Sequence, residues 1–228
     1  MFRNNVCNST PTAVIQMNIE LNHNHPKTTP LFVLLGAMPL LVFSSCCKTE
    51  TITQRHEDGM ITVLQRDKKT QKKEGTFIKK YPDGKVFETA IYHHDTLVGE
   101  RKLYHPNGNL QAVEHYRNGQ FDGDYKGYYE NGTLELEGKY SNGSMNGEWL
   151  RYYDTKELME KVLFKDNEEN GPFTEYYRNG NLKAEGNYLN GDNEQGELKL
   201  YNEQGALVKK MDCNMGACKT IWQNEIAK

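Results

Sequence analysis

Two cysteine pairs carry the spacing in this chain that could support covalent chemistry. Cys213 and Cys218 close the stretch "CNMGAC", and Cys46 and Cys47 sit directly behind an uncharged apolar run. Two thiols with no histidine nearby make a poor zinc shell, so Cys213 and Cys218 are either a disulfide or two free thiols. Strand register decides, because the sulfurs meet only where the backbones come close. His93-His94, His105 and His115 are of metal-ligating type. His93 and His94, however, replace the Arg117-Asn118 turn pair of the next repeat, and His105 lies in another turn. They read as solvated turn residues, and no metal site is expected. Glu135, Glu137 and Glu185 fall at alternating, solvent-side positions with nothing to pair them in a cleft. A phosphate-binding glycine loop and a nucleophile elbow are both missing from the sequence. These features give no support for an enzyme: no catalytic residue and no cofactor are expected.

The elements that hold these residues repeat. Gly75, Gly99, Gly123, Gly147 and Gly171 are each 24 residues apart, and Gly196 follows after one extra residue. Tyr92, Tyr116, Tyr140, Phe164 and Tyr188 keep the same interval, with Cys213 in the next slot. A third series is Asp83-Gly84, Asn107-Gly108, Asn131-Gly132 and Asn179-Gly180, closed by Gln204-Gly205 and broken once by Thr155-Lys156. Three series sharing one period define a repeat array.

Within a unit, apolar and polar residues alternate, as in Leu134, Leu136, Gly138 and Tyr140 against Thr133, Glu135, Glu137 and Lys139. Period two predicts strands with one buried and one wet face. Asn-Gly between such runs predicts a type I′ hairpin turn, with positive φ at both central residues. Second turns at Asn118-Gly119, Asn142-Gly143 and Asn190-Gly191 link successive hairpins. The expected fold is all-β, an elongated single-sheet antiparallel β-meander of about six 24-residue hairpin repeats. The small residues Ala90, Gly138 and Gly186 share a column, which predicts an aromatic ring lying across each glycine.

Composition agrees. The chain is 36% hydrophobic, with 14 tyrosines, 20 glycines and a mean hydropathy of -0.83. Aromatic ladders must substitute for a thick aliphatic core. A net charge of -3 argues against nucleic acid as a partner.

Units of the form "GxxxxYYxNGxLxxEGxYxNGxxxG", clearest from Gly123 to Gly147, resemble the MORN-variant repeats of bacterial proteins, a group catalogued as YwqK-type antitoxins. The resemblance covers roughly Gly75 to Met211. The array's long aromatic and charged surface suits a binding or scaffold module, whereas the family label alone implies an antitoxin or immunity protein.

At the amino terminus, Leu31 to Phe43 is an apolar run too short for a membrane helix and suited to a signal-peptide core. The Ser45-Cys46 step resembles the lipobox of bacterial lipoproteins, which implies lipidation at Cys46, with Cys47 as a second candidate. Expected boundaries are a signal peptide over 1–45 (its start at Met17), a tether over 46–57, a capping hairpin over 58–74, the array over 75–212 and a terminal cap over 213–228. The expected location is the bacterial cell envelope, at the outer membrane, with contact to the membrane through the lipid. The expected partner is a protein or an envelope polymer, on a scaffold or binding module. The degenerate unit with Thr155-Lys156, next to the acidic tip "KDNEEN", places candidate docking residues at Trp149, Tyr153, Met159, Leu163 and Phe164.

Overall fold

A computed structural model of the chain describes residues 48–224. The apolar run, the lipobox and Cys46 lie outside the described residues. Those described form one open antiparallel sheet of sixteen strands that follow one another in sequence order, apart from the short β7, which pairs only with β6. The first hairpin is β1 (Thr49–Arg55) with β2 (Ile61–Asp67). Next come β3 (Lys73–Lys80) with β4 (Val86–His93), and β5 (Thr96–Tyr104) with β6 (Leu110–Arg117). The two-residue β7 (Gln120–Phe121) pairs with β6 beside the main path. The array continues with β8 (Gly123–Tyr128) and β9 (Leu134–Ser141), β10 (Ser144–Tyr152) and β11 (Leu158–Lys165), and β12 (Glu168–Tyr176) and β13 (Leu182–Tyr188). It ends in β14 (Gly196–Tyr201), β15 (Leu207–Asn214) and the edge strand β16 (Ala217–Gln223).

The array thus starts earlier than its sequence period indicates. Thr49–Arg55, expected to be tether, is a strand paired along its whole length with β2. The expected 58–74 cap is therefore β2 and its following loop rather than a hairpin of its own. The reason is local: Asp58-Gly59 makes the same turn as the later units, with Gly59 at φ 80 and its amide donating to the His56 carbonyl at 3.0 Å.

The two turn series differ, and one expectation is reversed. At Asn107-Gly108, Asn131-Gly132 and Asn179-Gly180 only the glycine has positive φ. The asparagine instead accepts a hydrogen bond from the backbone two residues on, as Asn131 Oδ1 does from Thr133 at 2.9 Å. These are type I turns closed by a left-handed glycine, stabilised by an Asx contact. The type I′ geometry belongs to the linking turns: Asn118-Gly119, Asn142-Gly143 and Asn190-Gly191 are positive at both residues, as are His94-Asp95 and Asp166-Asn167.

Two irregularities recur in each unit, and neither was visible in the alternation. Leu103 pairs with Ala112 while Tyr104 pairs with Leu110, so Gln111 bulges; Glu135, Met159 and Lys183 bulge in the same way. At the other end, Val162 faces Phe173 while Phe164 faces Glu169, so three residues around Gly171 oppose one. Gly171 sits at φ 126, where a side chain is strained, which explains the glycine clock.

Hydrogen bonds that reach one unit ahead lock the hairpins together. Tyr81, Tyr129, Tyr153 and Tyr177 donate their hydroxyls to the carbonyls of Tyr104, Tyr152, Tyr176 and Tyr201, each at 2.8 Å. His105 takes the tyrosine slot in its unit, its Nε2 lying 2.9 Å from the Tyr128 carbonyl. Asn107 and Asn179 add side-chain amide bonds to Glu130 and Glu203, both at 2.7 Å. At the opposite sheet end, each type I′ turn donates an amide back one unit, as Gly143 does to Phe121 at 2.8 Å.

Packing rests on one row of residues crossing the sheet. In strand order it holds Phe77, Ala90, Arg101, Glu114, Tyr125, Gly138, Trp149, Val162, Phe173, Gly186, Leu198 and Met211, a large residue facing a smaller one in nearly every hairpin. A Cβ built on Gly138 would stand 2.2 Å from Trp149 Cδ2, and one on Gly186 2.9 Å from Phe173 Cε1. The expected ring over each glycine is there. The buried apolar cluster of Val162, Phe173, Ala184, Leu198 and Cys213 lies toward the carboxyl-terminal end.

Candidate binding face

The face that carries this row also carries carboxylates. Trp149, 3% exposed, meets Phe164 edge-on at 6.1 Å and Tyr140 at 5.1 Å, and Phe173 stacks on Tyr188 at 4.1 Å. Around these rings stand Glu160, Glu169, Glu175 and Glu194, all close enough to raise the pKa of Tyr188, after burial as the main cause. Burial pushes the Glu160 carboxyl up, and Glu175 adds to the effect against Arg151. Glu169 is raised by burial, then by Glu160 and Asp192. A groove of about 430 Å³ runs among Phe173, Glu175, Tyr188, Glu194, Leu198 and Leu200. Lys183 also lines it and pairs with Glu175 at 2.6 Å.

The opposite face is a ladder of exposed ion pairs, including Lys102–Glu100 at 2.7 Å, Lys126–Glu137 at 3.5 Å and Lys199–Glu185 at 2.9 Å. Such pairs contribute little to stability and keep the face wet. Glu137 and Glu185, expected on the solvent side, lie here; each also accepts a tyrosine hydroxyl, from Tyr152 at 2.8 Å and Tyr201 at 2.9 Å.

In the amino-terminal half, the aromatic slot is taken by Arg101. Its Nε donates to Glu88 at 2.7 Å and its Nη1 to Glu114 at 3.1 Å, and Tyr116 donates to Glu114 at 3.0 Å. Both glutamates are buried, at 7% exposure. Burial opposes the Arg101 charge, but Glu88 and then Glu114 outweigh it and hold the guanidinium protonated. The Tyr116 hydroxyl is pushed up to about 12, first by burial and then by Glu114. The group is ion-paired on all sides, so it reads as packing rather than as a reactive centre.

The five docking residues anticipated around the degenerate unit do not share one surface. Trp149 and Phe164 are on the aromatic face, with Trp149 forming the floor. Leu163, next to Phe164 in its strand, points to the other face, where it covers Gly171. Tyr153 and Met159 are at the turn end, in a shallow groove with Glu160, Glu175, Tyr176 and Lys183. The turn itself keeps the shape of its relatives: Lys156 takes the glycine conformation at φ 84, and its amide donates to Tyr153 at 2.9 Å. Thr155 forms no amide rung. Arg178 fills in, pairing with Asp154 at 2.6 Å and lying 4.7 Å over the Tyr153 ring.

Cys213 and Cys218 face each other directly across β15 and β16 and form a disulfide, with an S–S distance of 2.02 Å. The bridge staples the last hairpin, where the sheet runs out of neighbours.

The carboxylate ring and the Arg101 triad were missed because neither is a motif along the chain. Aligning the units at the repeat interval would have found the triad: Arg101 falls in the column of Phe77, Tyr125, Trp149 and Phe173, and Glu114 in that of Val162.

A single open sheet of consecutive hairpins, locked unit to unit, defines a β-repeat module. Four of its units, residues 97–118, 121–142, 145–166 and 169–190, match the family described as the MORN repeat variant. Each match runs from one type I′ turn to the next. The same strand-and-turn pattern continues on both sides of the matched units, in β3–β4 and β14–β15. No curated protein matches the chain.

Proposed function

We propose that the protein is a lipid-anchored module of the bacterial cell envelope, held at the outer membrane through Cys46, whose aromatic–acidic face docks a basic segment of a partner protein. MORN repeats are generally protein-binding modules, and among the described residues no second layer of structure covers this face. The observation that carries the reading is the groove beside Tyr188. Apolar and aromatic walls supply area, while Glu169 and Glu194, together with Glu160 and Glu175 in part offset by Arg151 and Lys183, supply a net negative field that favours Lys or Arg. The same field disfavours an anionic envelope polymer.

Cross-linking in cells with the full chain, against a Glu169→Lys/Glu194→Lys variant, tests the docking. Loss of one defined cross-linked protein in the variant supports the face, and an unchanged cross-link overturns it. The anchor is tested separately: Cys46→Ala leaves the precursor unprocessed and free of acyl label, whereas full labelling of that variant rejects Cys46 as the site.

A further inference from the structure

The type I′ turn between β4 and β5 departs from the others at three positions at once. Where later units have Arg117-Asn118, Ser141-Asn142, Lys165-Asp166 and Leu189-Asn190, this one has His93-His94. Where they have Val98, Asp122, Asn146 and Asn170 ahead of the bulge glycine, β3 has Glu74. The fold brings the three together. His93 Nδ1 lies 2.9 Å from Glu74 Oε1, His93 Nε2 lies 2.9 Å from His94 Nδ1, and Glu74 Oε2 lies 3.7 Å from His94 Nδ1.

We propose that Glu74, His93 and His94 form a solvent-open site for a borderline divalent transition metal such as Zn²⁺, with His93 Nε2 and His94 Nδ1 as the nitrogen ligands and the Glu74 carboxylate behind His93 as their orienting partner. Bonds of about 2.0–2.1 Å in tetrahedral geometry place ligand atoms roughly 3.3 Å apart. The 2.9 Å separation of the two nitrogens is a few tenths of an ångström short of that value, and the Glu74 carboxylate lies within 4.8 Å of both rings' donor atoms. The contact between Glu74 and His93 Nδ1 does what a carboxylate does behind a metal-bound histidine: it holds the proton on Nδ1 and leaves the Nε2 lone pair for the metal. Neutral His94 makes its Nδ1 lone pair available by carrying its proton on Nε2 instead. The remaining coordination positions go to water, because both histidine side chains are more than half exposed.

The frame is already rigid. The His94 amide donates to Glu74 Oε2 at 3.0 Å, the Asp95 amide to the Lys73 carbonyl at 3.0 Å, and the Lys73 amide to Asp95 Oδ1 at 2.7 Å. Nitrogen donors on an open site also favour Cu²⁺ over Zn²⁺ in the ordinary stability order.

The test is calorimetric titration of the full chain with Zn²⁺, with Cu²⁺ electron paramagnetic resonance as a second readout. Wild type takes up one equivalent of Zn²⁺, and its Cu²⁺ spectrum shows nitrogen hyperfine structure. His94→Asn installs the residue that the sister turns carry at this left-handed position, so the turn is kept while the equivalent is lost. Glu74→Gln lowers affinity about 10- to 100-fold. Uptake of Zn²⁺ by His94→Asn with wild-type affinity, or no uptake by wild type, overturns the site. Circular dichroism and melting of the variant confirm that any loss is not unfolding.

Discussion

The unit built on β5 and β6 and the unit built on β10 and β11 have the same strands, turns and bulges, yet fill the centre of their shared face in opposite ways. In the first, Arg101 opposes Glu114 with Glu88 beside them; in the second, Trp149 opposes Val162. A long side chain from the first strand of the hairpin and a shorter one from the second satisfy the row either way. What distinguishes the two is coupling: an apolar pair is sufficient in itself, whereas a guanidinium in this slot requires carboxylates on both neighbouring strands. The row therefore constrains volume strictly and polarity only jointly.

Breaking that coupling gives the largest expected effect. Arg101→Met leaves Glu88 and Glu114 buried without a counter-charge, at a cost of about 3 kcal/mol, the low end for a broken buried pair because Arg101 is partly exposed. Urea unfolding measures it. Arg101→Tyr together with Glu114→Gly, which copies the Tyr125–Gly138 pair of the next hairpin, recovers the part of the loss that Glu114 carries, while Glu88 stays buried without its partner. If the double variant is no more stable than Arg101→Met, the exchange of polar for apolar units is not modular.

On the apolar side, Gly138→Val places a branched side chain where the Trp149 ring already lies, and overpacking of this kind costs about 1–3 kcal/mol. Gly186→Val is milder, since its nearest contact is the edge of Phe173 at 2.9 Å. Thermal melts of the two variants rank them, and equal melting temperatures would remove the ring-over-glycine account.

Fold class, repeat length and turn positions were legible because each depends on residues close in sequence. Glycine at a left-handed bulge and an asparagine that caps its own turn leave a mark at every interval. β1 was missed because "TETITQR" lacks the aromatic residues that flag later units, and its pairing is set by a turn at Asp58-Gly59 that falls off the clock. The type I′ geometry was expected at the wrong series because Asn-Gly serves both: in one the asparagine side chain does the work, in the other its backbone does. The carboxylate ring and the Glu74–His93–His94 cluster were unreadable for a different reason. Their members come from different strands, and only register brings them together.

The Thr155-Lys156 turn compares two ways of making the same corner. Lys156 sits at φ 84, a conformation that costs a non-glycine residue about 1–2 kcal/mol. Thr155→Asn/Lys156→Gly removes that strain and adds the amide rung seen from Asn131 and Asn179. The stability gain expected is about 1 kcal/mol, reduced by the extra freedom glycine brings to the unfolded chain. A melting temperature at or below wild type would show that Arg178, through Asp154 and Tyr153, already compensates in full.

The smallest effect separates the carboxylates of the two units. Glu114 is held by a guanidinium at 3.1 Å, whereas Glu160 has Arg151 only at 3.9 Å and sits near Glu175, with burial as the main cause of its raised pKa. A carboxyl whose pKa is higher folded than unfolded favours folding at low pH, where the folded state holds the proton more tightly. That contribution disappears as the pH rises through the folded-state value. At neutral pH the ionised Glu160 is therefore a small burden, which Glu160→Gln removes. The variant melts slightly higher than wild type at pH 7, by less than about 0.5 kcal/mol, and the difference closes as the pH falls below the ordinary carboxylate range. Melting curves from pH 3 to pH 8 test the sign directly. A variant that is less stable at pH 7 and equal at pH 3 would mean that Arg151 pairs with Glu160 in solution more closely than 3.9 Å, which would make this unit resemble the Arg101 unit instead of contrasting with it.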